Sequence, residues 1–258
     1  MNLLPSRIVF FLLPLLACLG ACCTVKRSPD VLAGGTQVPR HFSLVQTRKL
    51  AADYLLFLPE GYASNSGRRW PLILFLHGGA ESGSNIWKVA KNGPPHIATQ
   101  MSNFPFIVVS PQCPDGKIWS NELLIALLDD VEKRYLVDTH RVYLTGVSLG
   151  GFGTWSLALS YPERFAAMAP FCGGGDFVTP HMAEGAREAA LKTLPVWAFH
   201  GAKDPAVPVE ESRRMVAIMQ SLGDKDVKLT IYPDAGHVCW TQAYAGPDLY
   251  AWFLQHSR

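Results

Sequence analysis

Read for hydrophobic and polar positions, the chain alternates between short apolar runs and longer segments with helical spacing. PLILFLH, residues 71–77, is apolar without a break, as a strand is when both faces of its sheet are covered. FPFIVVSPQ, RVYLTG, FAAMAPF, PVWAFH and VKLTIYP repeat that character at intervals of several tens of residues. Two earlier runs, FSLVQT and YLLFLP, also predict strands, with a turn from Gly61 to Gly67 after the second. Between the runs lie segments with helical signals. Residues 121–137 place Leu123, Leu127, Val131 and Tyr135 on one helical stripe, and FGTWSLALSY runs up to Pro162, which should end it. EESRRMVAIMQSLG opens on Glu210 and Glu211 and closes on Gly223, matching dipole and C-cap preferences. PDLYAWFLQH predicts a last helix with Pro247 near its start. Strands alternating with helices predict an α/β domain with a mostly parallel central sheet and helices on both faces.

Composition narrows the partners. The 258 residues are 48% hydrophobic and carry a formal net charge of +2, with no basic stripe, so nucleic-acid binding has no electrostatic support. The N-terminus reads differently. Arg7 precedes IVFFLLPLLACLGACC, which is short for a membrane span and suits the core of a signal peptide. LGAC at residues 19–22 resembles the lipobox of bacterial lipoproteins, which implies a lipid on Cys22; Cys18 fits less well because Leu16 is large, and plain cleavage near Ala21 is the other reading. The expected organisation is a signal peptide over 1–21, a tether over 22–40 and a catalytic domain over 41–258, in a protein that is exported and either periplasmic or anchored to the membrane by that lipid. Export permits disulfides; Cys23, Cys113, Cys172 and Cys239 allow three full pairings, and their spacing chooses none.

The chemistry sits in TGVSLGGFG, residues 145–153. A strand ending at Gly146, a serine and then a helix make the setting of a G-x-S-x-G nucleophile elbow. Cβ atoms at positions 146 and 150 would collide in so sharp a turn, while Ser148 is held out above the sheet edge and the N–H of Leu149 opens the helix. A phosphate loop is excluded, because no Lys-Ser/Thr follows the glycines. A serine needs a base and an orienting acid, expected later in the order Ser, acid, His. Asp204 follows the strand PVWAFH and His237 follows the strand VKLTIYP; Asp234 is an alternative acid, awkwardly close to His237 in sequence. LHGGAESG, residues 76–83, suits an oxyanion-hole loop, with the N–H of Gly79 the first candidate donor and that of Ala80 the second. His77 reads as a structural residue of that loop. Trp87, Trp119 and Trp240 lie in or beside loops that should rim the site and could bind an aromatic acyl group or a sugar.

LFLHGGAESG, VVSPQCP, LLDDVEKRYLVDTHRVYLTGVSLGGFGTW, YPERFAAMAPFCGGGD, LPVWAFHGAKDPAVP and YPDAGHVCW together resemble bacterial single-domain α/β-hydrolase esterases of the dienelactone-hydrolase-like or prolyl-oligopeptidase-like kind, over roughly residues 50–257. The resemblance implies Ser148 as nucleophile, Asp204 as orienting acid, His237 as base, and Gly79 and Leu149 as oxyanion donors, with no metal or organic cofactor. It implies a serine carboxylesterase acting on small or polysaccharide-linked acyl esters; the alternatives are a peptidase of the prolyl-oligopeptidase-like type and a non-catalytic surface lipoprotein. Three departures limit it. Dienelactone hydrolases use cysteine as nucleophile, no propeller domain can fit here, and residues 177–194 are too few for a large lid.

Overall fold

The computed structural model describes residues 41–45, 47–62, 67–101 and 103–258, so the signal peptide, the tether and Cys22 lie outside the described residues. The chain divides into Met1–Thr47 and a compact unit, Arg48–Arg258. Within the first, residues 41–45 and Thr47 are exposed and form neither helix nor strand, so the strand expected from FSLVQT is absent among its described residues. An alternating pattern states only a tendency, and a strand forms where a neighbour supplies hydrogen-bond partners.

The other seven strand expectations are met. The strands are β1 (Tyr54–Phe57), β2 (Trp70–Leu76), β3 (Ile107–Pro111), β4 (Val137–Val147), β5 (Ala167–Phe171), β6 (Val196–Gly201) and β7 (Val227–Tyr232). They form one sheet in the order β1-β3-β2-β4-β5-β6-β7. Only β1 runs antiparallel, against β3; every other pairing is parallel. The helices are α1 (Gly93–Ala98), α2 (Asn121–Arg134), α3 (Leu149–Ser160), α4 (Val178–His181), α5 (Gly185–Leu191), α6 (Glu210–Ser221), α7 (Trp240–Ala245) and α8 (Asp248–Leu254).

Alternation along the strands divides the interior in two. On β2, Leu72, Leu74 and Leu76 pack with α2, α3 and α6, through Leu128, Trp155 and Met215, while Ile73 and Phe75 face Tyr244 and Phe253 of α7 and α8. All seven β2 residues are buried, as an unbroken apolar run requires. The α2 stripe is rotated and shortened relative to the sequence reading. Its buried positions are Leu124, Leu127, Leu128 and Val131, whereas Leu123 is only half-buried. It stops at Arg134 because Tyr135 turns extended (φ −121°, ψ 159°) and Leu136 accepts a hydrogen bond from Trp70 N–H (2.8 Å). α3 ends before Pro162, and α6 ends before Gly223 at φ +96°, both as expected. Residues 177–194 hold only the short helices α4 and α5, with no large lid. This is an α/β-hydrolase fold. Because β2 and β4 to β7 are parallel, the loops after β2, β4, β6 and β7 all emerge at one edge of the sheet.

Candidate active site

The turn from β4 into α3 is shaped by what it excludes. A Cβ on Gly150 would land on the carbonyl oxygen of Leu76, and one on Gly146 would land on that of Gly150. Strand and helix can close this far only without side chains at those two positions. Ser148 between them has φ 54° and ψ −116°, a backbone that a non-glycine residue holds only when its surroundings dictate it. The surroundings are explicit: its N–H donates to Phe171 O at 2.9 Å, and its C=O accepts from Phe152 N–H at 3.0 Å.

Three side chains separated widely along the chain meet at this turn. His237 Nε2 lies 2.9 Å from Ser148 Oγ, and His237 Nδ1 lies 2.7 Å from Asp204 Oδ2. With a carboxylate at Nδ1, that nitrogen carries the proton and donates, which leaves Nε2 to accept from the serine hydroxyl. The Asp204 side chain is fully buried. Burial works to raise its pKa, but hydrogen bonds from Val207 N–H, His237 and Ala206 N–H outweigh it and hold the carboxyl below the usual range. The two amides reach Oδ1 at 2.9 and 2.8 Å. Asp234 is elsewhere: it is exposed and paired with Lys203 Nζ at 2.8 Å. The acid that meets the histidine is therefore Asp204.

The two loops are laced together by Lys203 N–H donating to Ala235 O (3.0 Å) and Ala202 N–H donating to Tyr232 O (2.9 Å). Gly201 permits this crossing, since a Cβ there would run into the carbonyl oxygens of Ala235 and Gly236. Sequence alone assigns no role to His200. It is fully buried, with Nδ1 2.7 Å from Ser212 Oγ and Nε2 3.0 Å from Val207 O and 3.3 Å from Asp204 Oδ2. It braces the turn that carries the acid. The signal was present as a lone polar residue closing an otherwise apolar strand.

After β2, Gly79–Glu81 form a single 3₁₀ turn, and Leu149 is the first residue of α3. The first N–H groups of a helical segment have no acceptor within it, so both candidate amides open such segments. A Cβ on Gly78 would come within 3.5 Å of Ser148 Cβ, which places this loop against the serine. His77 fixes the loop. Its Nε2 accepts from Cys113 N–H (2.9 Å), so its proton is on Nδ1, which donates to Gly78 O (2.6 Å). Burial lowers its pKa, in keeping with a neutral ring.

The tryptophans part company. Trp240 is buried, with its ring edge-on to His237 at a centroid distance of 5.5 Å and Nε1 donating to Asn92 Oδ1 (3.3 Å). Asn92 Nδ2 donates in turn to Glu81 Oε1 (2.9 Å), which ties the histidine's neighbour to the loop after β2. Trp119 is packed beneath the site, 4.8 Å from the His77 ring, and is too buried to rim it. Its flat ring fills the space that Gly153 leaves open, so packing claims it before any ligand can. Trp87 is exposed but lines a groove over the β1 edge with Phe57, Pro95 and Val108. Among the described residues, ligand-type atoms of Cys172, Asp204 and His237 lie within 4.8 Å of one another, but the carboxylate and the imidazole are already engaged with each other and with Ser148.

A sequence profile of the family described as Phospholipase/Carboxylesterase matches residues 117–245, half of the chain, and contains all three of these side chains. The chain belongs to this family. A solved thermostable esterase is 31% identical to it and superposes with a TM-score of 0.64, covering 80% of this chain and 59% of the other. A solved ferulic acid esterase, at 18% identity and a TM-score of 0.60, covers 77% of this chain and 89% of its own. Among curated proteins, the bifunctional acetylxylan esterase/xylanase XynS20E of Neocallimastix patriciarum is 28% identical over 62% of this chain and 22% of its own length. The probable feruloyl esterase C of Aspergillus terreus is 24% identical over 61% of this chain and 57% of its own length. The chain thus spans about a fifth to somewhat over half of these two curated relatives.

Proposed function

We propose that the protein is a serine carboxylesterase working through an acyl-enzyme on small or polysaccharide-linked acyl esters. The observation that carries the reading is the unbroken series from the Ser148 hydroxyl to the His237 ring to the Asp204 carboxylate. His237 Nε2 takes the proton of Ser148 Oγ as the oxygen attacks the ester carbonyl. The N–H groups of Gly79 and Leu149 receive the resulting oxyanion, each contributing about 3–4 kcal/mol to the transition state. The leaving alcohol departs with the proton from His237, and water repeats the sequence to release the acid. Asp204 stays ionised and holds the tautomer, a role that its low pKa suits.

The substrate class rests on relatives named for acetylxylan and ferulic acid esters. Trp240, buried edge-on against His237, is the tryptophan we assign to the wall of the acyl or alcohol pocket. We also propose that the protein is exported and held at a membrane by a lipid on Cys22, in line with LGAC and the apolar run before it. Among the described residues no helix is long and apolar enough to cross a membrane.

Purified protein should hydrolyse p-nitrophenyl acetate and release acetate or ferulate from decorated xylan, and Ser148→Ala should lose both activities. An enzyme that turned over blocked peptides faster than any ester in the panel would replace this reading with the peptidase one. Cys22→Ser should move the protein from the membrane to the soluble fraction in a bacterial host; unchanged membrane association would remove the lipid from the account.

A further inference from the structure

Cys172 follows directly on β5, and Cys239 lies two residues beyond His237. Both are buried, and their sulfurs are 2.9 Å apart, well inside the separation that two unbonded thiols keep. The approach is enforced at both ends. Cys172 holds a left-handed backbone at φ 47°, unusual for a residue with a side chain, and its N–H donates to Phe199 O at 2.9 Å. Cys239 N–H donates to His237 O at 2.9 Å, and the Cys172 thiol points at the same carbonyl at 3.1 Å. Cys113, the other cysteine among the described residues, instead directs its sulfur toward Lys117 O at 3.5 Å.

We propose that Cys172 and Cys239 form a structural disulfide that fastens the His237 loop to the end of β5. Among the described cysteines, this is the pair the fold brings into reach. It joins two parts of the reacting series, since the residue before Cys172, Phe171, accepts the N–H of Ser148 at 2.9 Å. The oxidant is a low-molecular-weight or protein disulfide. One cysteine thiolate attacks it, releasing one thiol and leaving a mixed disulfide. The other cysteine then attacks the mixed disulfide, forming the Cys172–Cys239 bond and releasing the second thiol. The two cysteines lose two protons and two electrons, and the external disulfide is reduced to two thiols.

In the folded protein the exchange is slow in either direction. The sulfurs are inaccessible, and the hydrogen bond to Cys239, together with burial, pushes the Cys172 thiol up, so the reactive thiolate is scarce. The bond therefore forms while the chain folds, and once formed it resists reduction.

The test uses the full chain refolded with a mixture of reduced and oxidised glutathione, then unfolded and alkylated without reductant. Peptide mapping should find Cys172 joined to Cys239 and Cys113 alkylated. Alkylation of both Cys172 and Cys239, or either one joined to another cysteine, would overturn the proposal. Chain refolded with reductant throughout should melt roughly 5–15 °C lower than the oxidised form. The Cys172→Ala/Cys239→Ala variant should show no such dependence on redox history. Equal melting temperatures of oxidised and reduced wild-type chain would refute the fastening role. Melting and mapping need no turnover, so a failure of the esterase reading leaves this test intact, and the reverse also holds.

Discussion

Two aspartates at opposite ends of neighbouring strands show how the same side chain, buried in both places, is put to different ends. Asp204 lies beyond the C-terminal end of β6, where two backbone amides and an imidazole converge on its carboxylate. Asp224 lies just before β7, at the far edge of the sheet, and is also buried. One of its oxygens accepts from Asp226 N–H at 3.0 Å, while the other has no hydrogen-bond partner among the described residues. Burial pushes the Asp224 carboxyl up to about 6, whereas Asp204 is held below its ordinary value. The lesson is that burial alone does not set the charge; the number of donors aimed at the carboxylate decides whether a buried acid stays ionised. Asp204 receives two amides and an imidazole, whereas the Asp226 amide that reaches Asp224 does not offset its burial.

The sharpest way to break this contrast is to remove the negative charge from Asp204. Asp204→Asn keeps the shape but lets the imidazole adopt the wrong tautomer, and kcat for p-nitrophenyl acetate should fall by roughly 10³–10⁴-fold. A fall of less than tenfold would mean that His237 does not need this partner. The next largest effect is on the frame that presents Ser148. Gly150→Ala drives a methyl onto the Leu76 carbonyl oxygen, so about 3 kcal/mol or more of folding stability should be lost in a urea titration.

Smaller and opposite in sign is Asp224→Asn, which should raise stability by about 1–2 kcal/mol at pH 8 and change little at pH 4. The folded-state pKa of Asp224 is raised, so the native chain holds a proton that the unfolded chain releases between about pH 4 and the folded value of about 6. Native stability from this group therefore declines as pH rises through that window, and the asparagine variant should lose that slope. Asp204 runs the other way. Its stabilising share is present above the unfolded pKa and is lost as pH falls through its depressed folded pKa. Smallest of all, Asp234→Asn breaks only the exposed pair with Lys203, and kcat should stay within about twofold of wild type.

What was legible in the sequence follows from where its information is local. β2, β3, β5 and β6 announce themselves as apolar runs because a sheet covered on both faces demands them, and the elbow announces itself because Gly146 and Gly150 have no freedom to be anything larger. The order Ser148, Asp204, His237 was readable for the same reason, each residue sitting directly after a recognisable strand. Contacts that exist only once the chain has folded were not. His200 against Asp204, Asn92 between Glu81 and Trp240, and Cys172 against Cys239 join residues with no shared motif. Trp119 shows the limit from the other side. A tryptophan in a loop can suit a rim or a floor equally well, and only the gap left by Gly153 assigns it to the floor. FSLVQT had the pattern of a strand, but residues 42–45 and Thr47 lie outside every strand.

In the proposed mechanism a serine hydroxyl is made nucleophilic by the ring beside it. The direct measurement is covalent labelling with a fluorophosphonate, followed by mass mapping of the modified peptide. Wild-type chain should carry one adduct, on Ser148, and labelling should drop by at least about a thousandfold in rate for His237→Ala. An adduct on any other residue, or labelling of Ser148→Ala at the wild-type rate, would contradict it.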